Sequence, residues 1–302
     1  MKKTFFIVLA FLVVVIVMLI YIKIDKKTII KSVENTSISP QDKNEFKSYL
    51  KVSFLDVGQG DASMIEWPSG KQMLVDCGRD ASVLSGLGDF MPFYDKYIDY
   101  LLITHPDYDH FGGCIDVLKR FDIGEIVYNG LVADNKAWDY FWDLAISEGA
   151  TITRISKLDT WKIENSELKF LYPDSDISIK GINNNDSSIV FLLSFGEMDI
   201  LFTGDAEEGL EEYLVTTYDN ILDSEILKVG HHGSGTSSIT KFIDAVKPKY
   251  SVISVGEDNN YGHPSLRVLK RLERVQSEVF RTDLLGNISF NIYENRIERV
   301  FE

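Results

Sequence analysis

The 302 residues contain five histidines, and each lies after an apolar, strand-like run or in the short loop between a strand and a helix. His105 and His110 follow Tyr100–Thr104, His231 and His232 follow Glu225–Val229, and His263 follows Tyr250–Val255. A structural set would scatter some onto helix faces and tails. Neutral imidazole nitrogens bind transition metals, and strand ends place such side chains on one rim of a sheet. The densest string is Thr104-His105-Pro106-Asp107-Tyr108-Asp109-His110-Phe111-Gly112-Gly113. Unpaired carboxylates packed this closely repel one another, and cations are the natural compensation. The plainer alternative is a solvated acidic turn with two surface histidines. An exposed turn has no need of Gly112-Gly113, which allow a helix to approach the sheet closely.

The elements that must position these groups are hairpins mixed with strand–helix units. Leu50–Leu55 reads as a strand that ends in the loop Asp56-Val57-Gly58-Gln59-Gly60-Asp61. Ser63–Trp67 and Gln72–Val75 form a hairpin across Pro68-Ser69-Gly70-Lys71. Tyr100–Thr104 and Glu125–Tyr128 are strands, Gly113–Phe121 and Asp134–Ser147 helices, the latter carrying Trp138, Phe141, Trp142 and Leu144 on one face. In the second half Ser187–Phe195 and Met198–Phe202 pair across Gly196-Glu197, and Thr203-Gly204-Asp205 opens an acidic helix. Glu225–Val229 leads to the histidine pair and a helix from Ser238. Tyr250–Val255 is a strand, Pro264–Val275 a helix with Pro near its start, and two short strands finish the chain. Two sheets covered by helices satisfy this order; a plain doubly wound parallel sheet does not begin with hairpins.

Thr4 to Ile22 contain no charge, Gly or Pro, and as a helix span nearly the whole hydrocarbon core of a bilayer. Lys2 and Lys3 precede the run and Lys23, Lys26 and Lys27 follow it. The exit Tyr21-Ile22-Lys23-Ile24 is a poor signal-peptidase site, so the reading is an uncleaved single-pass anchor over residues 1–22, a polar linker over 23–48 and one domain over 49–302. Positive charge on both flanks nearly cancels the positive-inside rule. An export-like start and few cysteines favour a cell-membrane protein with its domain outside the cell. Cys77 and Cys114 read as two buried free thiols rather than a disulfide, with Cys114 part of the core. Lys+Arg 31 against Asp+Glu 46 gives a net charge of −15. The first 31 residues hold six Lys and one Asp, so the remainder carries −15 − 5 = −20, a field that repels nucleic acid at long range.

His105-Pro106-Asp107-Tyr108-Asp109-His110-Phe111-Gly112-Gly113 resembles the His-x-His-x-Asp-His signature of the metallo-β-lactamase-fold hydrolases. Asp76 in Leu74-Val75-Asp76-Cys77-Gly78, Asp205 in Phe202-Thr203-Gly204-Asp205 and Lys228-Val229-Gly230-His231-His232-Gly233-Ser234 stand in the family's order. The loop Asp56–Ala62, the His-Pro-Asp form and Tyr261-Gly262-His263-Pro264-Ser265 make the chain similar in particular to the hydrolase domain of the competence protein ComEC, from residue 50 to about 285. That resemblance implies an α/β fold, a four-layer αββα metallo-β-lactamase-like sandwich, here behind an N-terminal transmembrane helix. It implies two divalent metal ions, Mn or Zn. His105 and Asp107 hold one, Asp109 and His110 the other, Asp205 bridges them, and His232 or His231 completes the second site. His232 is preferred because Gly-Ser and a helix follow it, which leaves His231 as a residue supporting the ligands or as a proton carrier.

Two departures from the family pattern are visible. Asp107 stands where most relatives have His, and no histidine lies between His110 and His231 to complete the first site. Oxygen donors shift preference towards Mn²⁺ while leaving zinc possible; Asn185 is a candidate to assist. Asp56, Asp61 or Gln59 could steady ligands or water, or form no more than a tight loop. Asp76 reads as a hydrogen-bond acceptor beneath the site. His263 is a helix-start residue or a proton donor facing substrate. Ser234, Thr236 and the amides around them could meet a phosphate oxygen or cap a helix. The expected chemistry is hydrolysis of a phosphodiester, in nucleic acid or a cell-wall polymer, by a hydroxide held between two cations, with Asp109, His231 and His263 acting on the reaction. The alternatives are a lactone or thioester hydrolase and a non-catalytic metal-binding surface module. The membrane, through residues 4–22, is the only other partner, and no protein partner is inferred.

Overall fold

In the computed structural model, residues 48–177 and 183–301 are described. The anchor expected over residues 1–22 lies outside them, as does all of the expected linker except residue 48. The strands are β1 (Leu50–Phe54), β2 (Ser63–Glu66), β3 (Gln72–Val75), β4 (Tyr97–Ile103), β5 (Asp122–Tyr128), β6 (Thr151–Arg154), β7 (Asp159–Ile163) and β8 (Ser166–Tyr172). They continue with β9 (Val190–Phe195), β10 (Met198–Phe202), β11 (Ile226–Lys228), β12 (Tyr250–Ile253), β13 (Glu278–Arg281), β14 (Ile288–Tyr293) and β15 (Arg296–Val300). Among the described residues they form an eight-stranded sheet, β15-β14-β1-β2-β3-β4-β5-β6, and a seven-stranded sheet, β13-β12-β11-β10-β9-β8-β7.

Period-two alternation gives each strand two apolar faces with different partners. Phe54, Trp67 and Val75 of the first sheet meet Phe170, Phe191 and Phe202 of the second in one continuous core. Phe191 stacks on Phe202 with centroids 4.7 Å apart, Phe54 lies 5.9 Å from Phe202, and the Trp67 Nε1–H donates to Ser166 Oγ at 2.7 Å. The outer face of the first sheet, with Leu74, Leu101 and Ile126, packs on Val83, Leu87, Trp138 and Phe141 from helices Val83–Phe90 and Lys136–Glu148. That of the second, with Leu192, Leu201 and Leu227, packs on Leu210, Phe242 and Leu272 from helices Glu208–Tyr218, Thr240–Val246 and Leu266–Arg274. Helix, sheet, sheet and helix form the expected four layers. Among the described residues no helix is long and apolar enough to cross a membrane.

Both expected hairpins form with matched registers. Several boundaries shift for local reasons. The helix expected from Ser238 begins at Thr240, because Ser238 has φ +53°, outside the helical region. The helix expected from Pro264 begins at Leu266, where the Ser265 hydroxyl accepts the Val268 N–H. Three strands, not two, close the chain, with a one-turn helix Thr282–Leu285 between the first two. Helix Val83–Phe90 and strands β6, β7 and β8 were not anticipated.

Cys77 and Cys114, expected to be free, are joined in a disulfide with Cα atoms 5.2 Å apart. Backbone contact dictates this. The Cys77 N–H donates to the His110 carbonyl at 2.7 Å, and a Cβ on Gly113 would stand 2.1 Å from the Cys77 carbonyl oxygen. Only glycine allows Cys114 to come so near.

Candidate metal centre

The strands that carry the site run parallel: β3, β4 and β5 in one sheet, β10, β11 and β12 in the other. Their carboxyl ends therefore deliver side chains to one rim, as open α/β sheets do. Asp76 follows β3, His105 follows β4, Asp205 follows β10, and His231 and His232 follow β11. Asp76, His231 and His232 all have left-handed backbone, at φ 58°, 47° and 52°. Strain of this kind costs roughly 1–3 kcal/mol per residue and persists only where surrounding contacts enforce it.

Each of three buried imidazoles is gripped at Nδ1 and presents Nε2 without a hydrogen-bond partner. His110 Nδ1 lies 2.8 Å from Asp76 Oδ2. Asp76 also accepts the Thr104 N–H at 2.8 Å and the Thr104 hydroxyl at 2.7 Å. His105 Nδ1 lies 3.1 Å from Thr104 Oγ1 and 3.3 Å from Ser188 Oγ. His232 Nδ1 donates to the Ser254 carbonyl at 3.0 Å and lies 3.2 Å from Asp61 Oδ1. An imidazole held at Nδ1 with its Nε2 lone pair facing a carboxylate cluster is arranged as metal ligands usually are.

Asp205 is the hub. Its Oδ2 lies 3.3 Å from His110 Nε2, 3.5 Å from His232 Nε2 and 4.0 Å from His231 Nε2. Its Oδ1 is buried without a partner. Asp109 Oδ2 stands 3.4 Å from His232 Nε2. Ligand atoms of His105, His110 and Asp205 converge in one group and those of Asp109, His110 and His232 in another, each close enough to hold an ion. His110 thus stands in both groups, not on the second side alone. Asp107 belongs to neither; its Oδ2 lies 3.6 Å from His105 Nε2 and its Oδ1 accepts the Asn184 amide at 2.7 Å.

With protons rather than cations among these carboxylates, the site's charges pull hard on one another. Burial opposes the charge of Asp205, but His232 and His110 prevail and hold its carboxyl well below the usual range. Asp109 is likewise held low against burial by the nearby His232 imidazole and the charge of His110. Burial would lower His110 and His232, yet Asp205 with Asp76 raises the first well above an ordinary histidine, and Asp205 with Asp61 pushes the second up to about 10.

The remaining candidates divide. His231 is partly exposed; its Nδ1 lies 2.9 Å from Glu207 Oε1, so it is tethered differently from His232. His263 lies beside it, ring centroids 5.7 Å apart, and is lowered by burial and then by the charge of His231. Asn185 Nδ2 is 3.4 Å from His231 Nδ1. The Ser234 and Thr236 hydroxyls bond each other at 2.8 Å, and Thr236 donates to Glu207 at 2.7 Å. Just beyond that loop the Ser238 and Ile239 N–H groups donate to the buried Glu211 at 2.6 and 2.8 Å. Asp56, expected to support ligands, is exposed instead, and its Oδ1 accepts the Gly58 N–H in its own turn.

Three groups beside the centre escape the sequence reading: Glu207, Ser188 and Lys228. A lysine inside the apolar run Ile226-Leu227-Lys228-Val229 was the available signal.

Residues 55–257 match the family model described as Metallo-beta-lactamase superfamily. This chain belongs to the metallo-β-lactamase superfamily. Proteins of this fold are generally metal-dependent hydrolases, and the convergent His and Asp groups of this member could hold the metal. It is 32% identical over 265 residues to ComE operon protein 3 of Bacillus subtilis (strain 168), covering 82% of this chain and 33% of that one. It is also 32% identical over 242 residues to Competence protein ComA of Neisseria gonorrhoeae, covering 80% and 32%. The chain therefore spans about a third of the length of these curated relatives. Among solved structures it is similar to a variant of CmlA beta-hydroxylase, with a TM-score of 0.52 and 15% identity over 80% of this chain and 54% of that one, a likeness of fold.

Proposed function

We propose that this chain is a membrane-anchored, two-metal phosphodiesterase. The observation that carries the reading is the convergence of three Nδ1-held imidazoles on Asp205, with unpartnered Nε2 atoms on two adjoining sides. His105, His110 and Asp205, with Asp107 beside them, would hold one cation, and Asp109, His110, His232 and Asp205 the other. Bound there, two divalent cations supply Lewis acidity to water and to a phosphoryl oxygen. The mixed imidazole and carboxylate donors suit either Mn²⁺ or Zn²⁺. His231, tethered through Nδ1 to Glu207, is poised to pass a proton from Nε2 to a leaving oxygen, and His263 flanks it.

The similarity to a competence protein favours nucleic acid as substrate. Electrostatics favours a small phosphodiester over any extended polyanion. A groove of about 710 Å³ beside the Gly58–Gln59 loop is lined by Asp56, Asp80, Glu257, Asp258 and Asp283 against Arg79. The anchor rests on the apolar run Thr4–Ile22, and placement of the domain outside the cell is supported by the disulfide, which persists in oxidising compartments.

The test is turnover of bis-p-nitrophenyl phosphate by the full chain in detergent, with Mn²⁺ or Zn²⁺. Metal-dependent release of nitrophenol that EDTA abolishes is expected. Two bound equivalents of metal without turnover would leave a metal-binding module, and cleavage of lactones or thioesters alone would change the reaction class. Comparing DNA with a teichoic-type polymer separates the substrates. Protease shaving of intact cells, which should remove the domain, tests its orientation.

A further inference from the structure

Lys228 is a buried cation beside this centre. Its side chain is 2% exposed, and Nζ lies 2.6 Å from Asp61 Oδ2 and 3.0 Å from the Val229 carbonyl. Asp61, 5% exposed, turns its other oxygen to His232 Nδ1 at 3.2 Å. Its backbone ties it to the ligand loop, since the Asp61 N–H donates to the Asp109 carbonyl at 3.2 Å and its own carbonyl accepts the Gly78 N–H at 2.7 Å. A carboxylate oxygen of Asp61 also lies close enough to Asp205 and His232 to join them around an ion. Asp61 therefore has two possible uses, bracing His232 from behind or entering the coordination shell.

We propose that Lys228 is a positioning residue for the metal centre: by engaging Oδ2 it holds Asp61 behind His232, fixing that imidazole with its proton on Nδ1 and Nε2 towards the cation. An ion pair this deeply buried is poor evidence of stabilisation in itself, because desolvation offsets most of the attraction. An anion beside Nδ1–H does raise the basicity of Nε2, and supporting groups of this kind typically change metal affinity about 10–100-fold. This inference rests on the metal-binding part of the reading above, not on the substrate.

Replacing Lys228 alone would add a net negative charge, which by itself attracts cations, so the decisive variant is the charge-neutral pair D61N/K228M in the full chain. Mn²⁺ or Zn²⁺ affinity, measured by competition with a chromophoric chelator, should fall at least about tenfold for one of two equivalents and stay within about twofold for the other. A lowered Tm with both affinities within twofold of wild type would reduce the pair to a structural one and overturn the proposal. Should that variant not fold, the milder charge-neutral pair D61N/K228Q decides in the same titration: a fall of at least about tenfold for one equivalent supports the proposal, and both affinities within about twofold of wild type refute it. If the wild type binds no metal, the reading of the site fails first, which separates the two ideas.

Discussion

The two sheets contribute unlike halves to one centre. On the first, Asp76 accepts three bonds from Thr104 and His110, and the Cys77–Cys114 link binds the same loops covalently. These partners lie within one stretch of chain, so His110 is held from within this half, while His105 also leans on Ser188 from the second sheet's side. The second half consists of Asp205 and two histidines with left-handed backbone, and His232 depends on Ser254 and on Asp61, a residue from the first sheet's side. Imidazole orientation on the second sheet is thus completed only when the sheets dock.

Asp205→Ala should erase the distinction, since its carboxylate serves both sides; we expect metal affinity to fall by more than about 100-fold, beyond the loss typical of a supporting residue. Turnover should vanish with it, and calorimetric metal titration checks both halves together. His231→Gln isolates the second half's proposed proton carrier: turnover falls by about 10²–10⁴-fold while metal content, read by elemental analysis, is retained. Asp76→Ala attacks the first half, leaving His110 Nδ1 and Thr104 without their acceptor. Affinity should drop about 10–100-fold, and urea unfolding should show a loss of about 1–3 kcal/mol.

Acidity sharpens the contrast further. His232 in the metal-free protein titrates near 10, above its unfolded value of 6.5. Its ion pairs are therefore fully present below about pH 6.5 and are lost as the pH climbs towards 10. The Tm of protein in EDTA should decline over that window, whereas the metal-loaded protein, whose cations displace the proton, should lose much less. The smallest effect on the centre is expected from C77S/C114S, which should cost about 2–4 kcal/mol of stability. Metal affinity should change only a few-fold, because Asp76 still holds His110.

Much of this site was legible in the chain because its chemistry sits where apolar runs stop. His105, Asp205 and His232 follow Ile103, Phe202 and Val229 within a few residues. What escaped depends on partners distant in sequence. Lys228 looks anomalous in its strand, yet nothing in the string identifies Asp61 as its counter-ion. Cys77 and Cys114 offered no pairing signal until Gly113 brought their backbones together. Strand β6 was missed because Thr151–Arg154 is short and largely exposed at a sheet edge, and β7 because Asp159, Thr160 and Lys162 mask its alternation.

Gly60 carries a consequence for how the centre responds to change. Its φ is +139°, and a Cβ there would stand 2.3 Å from the Asp109 carbonyl oxygen. Two loops therefore ride on each other like meshed teeth, with no side chain between them to absorb slippage. A nudge to the hairpin loop that holds Asp61 must reach Asp109 undamped. Remodelling either loop for a different substrate would require redesigning both in step.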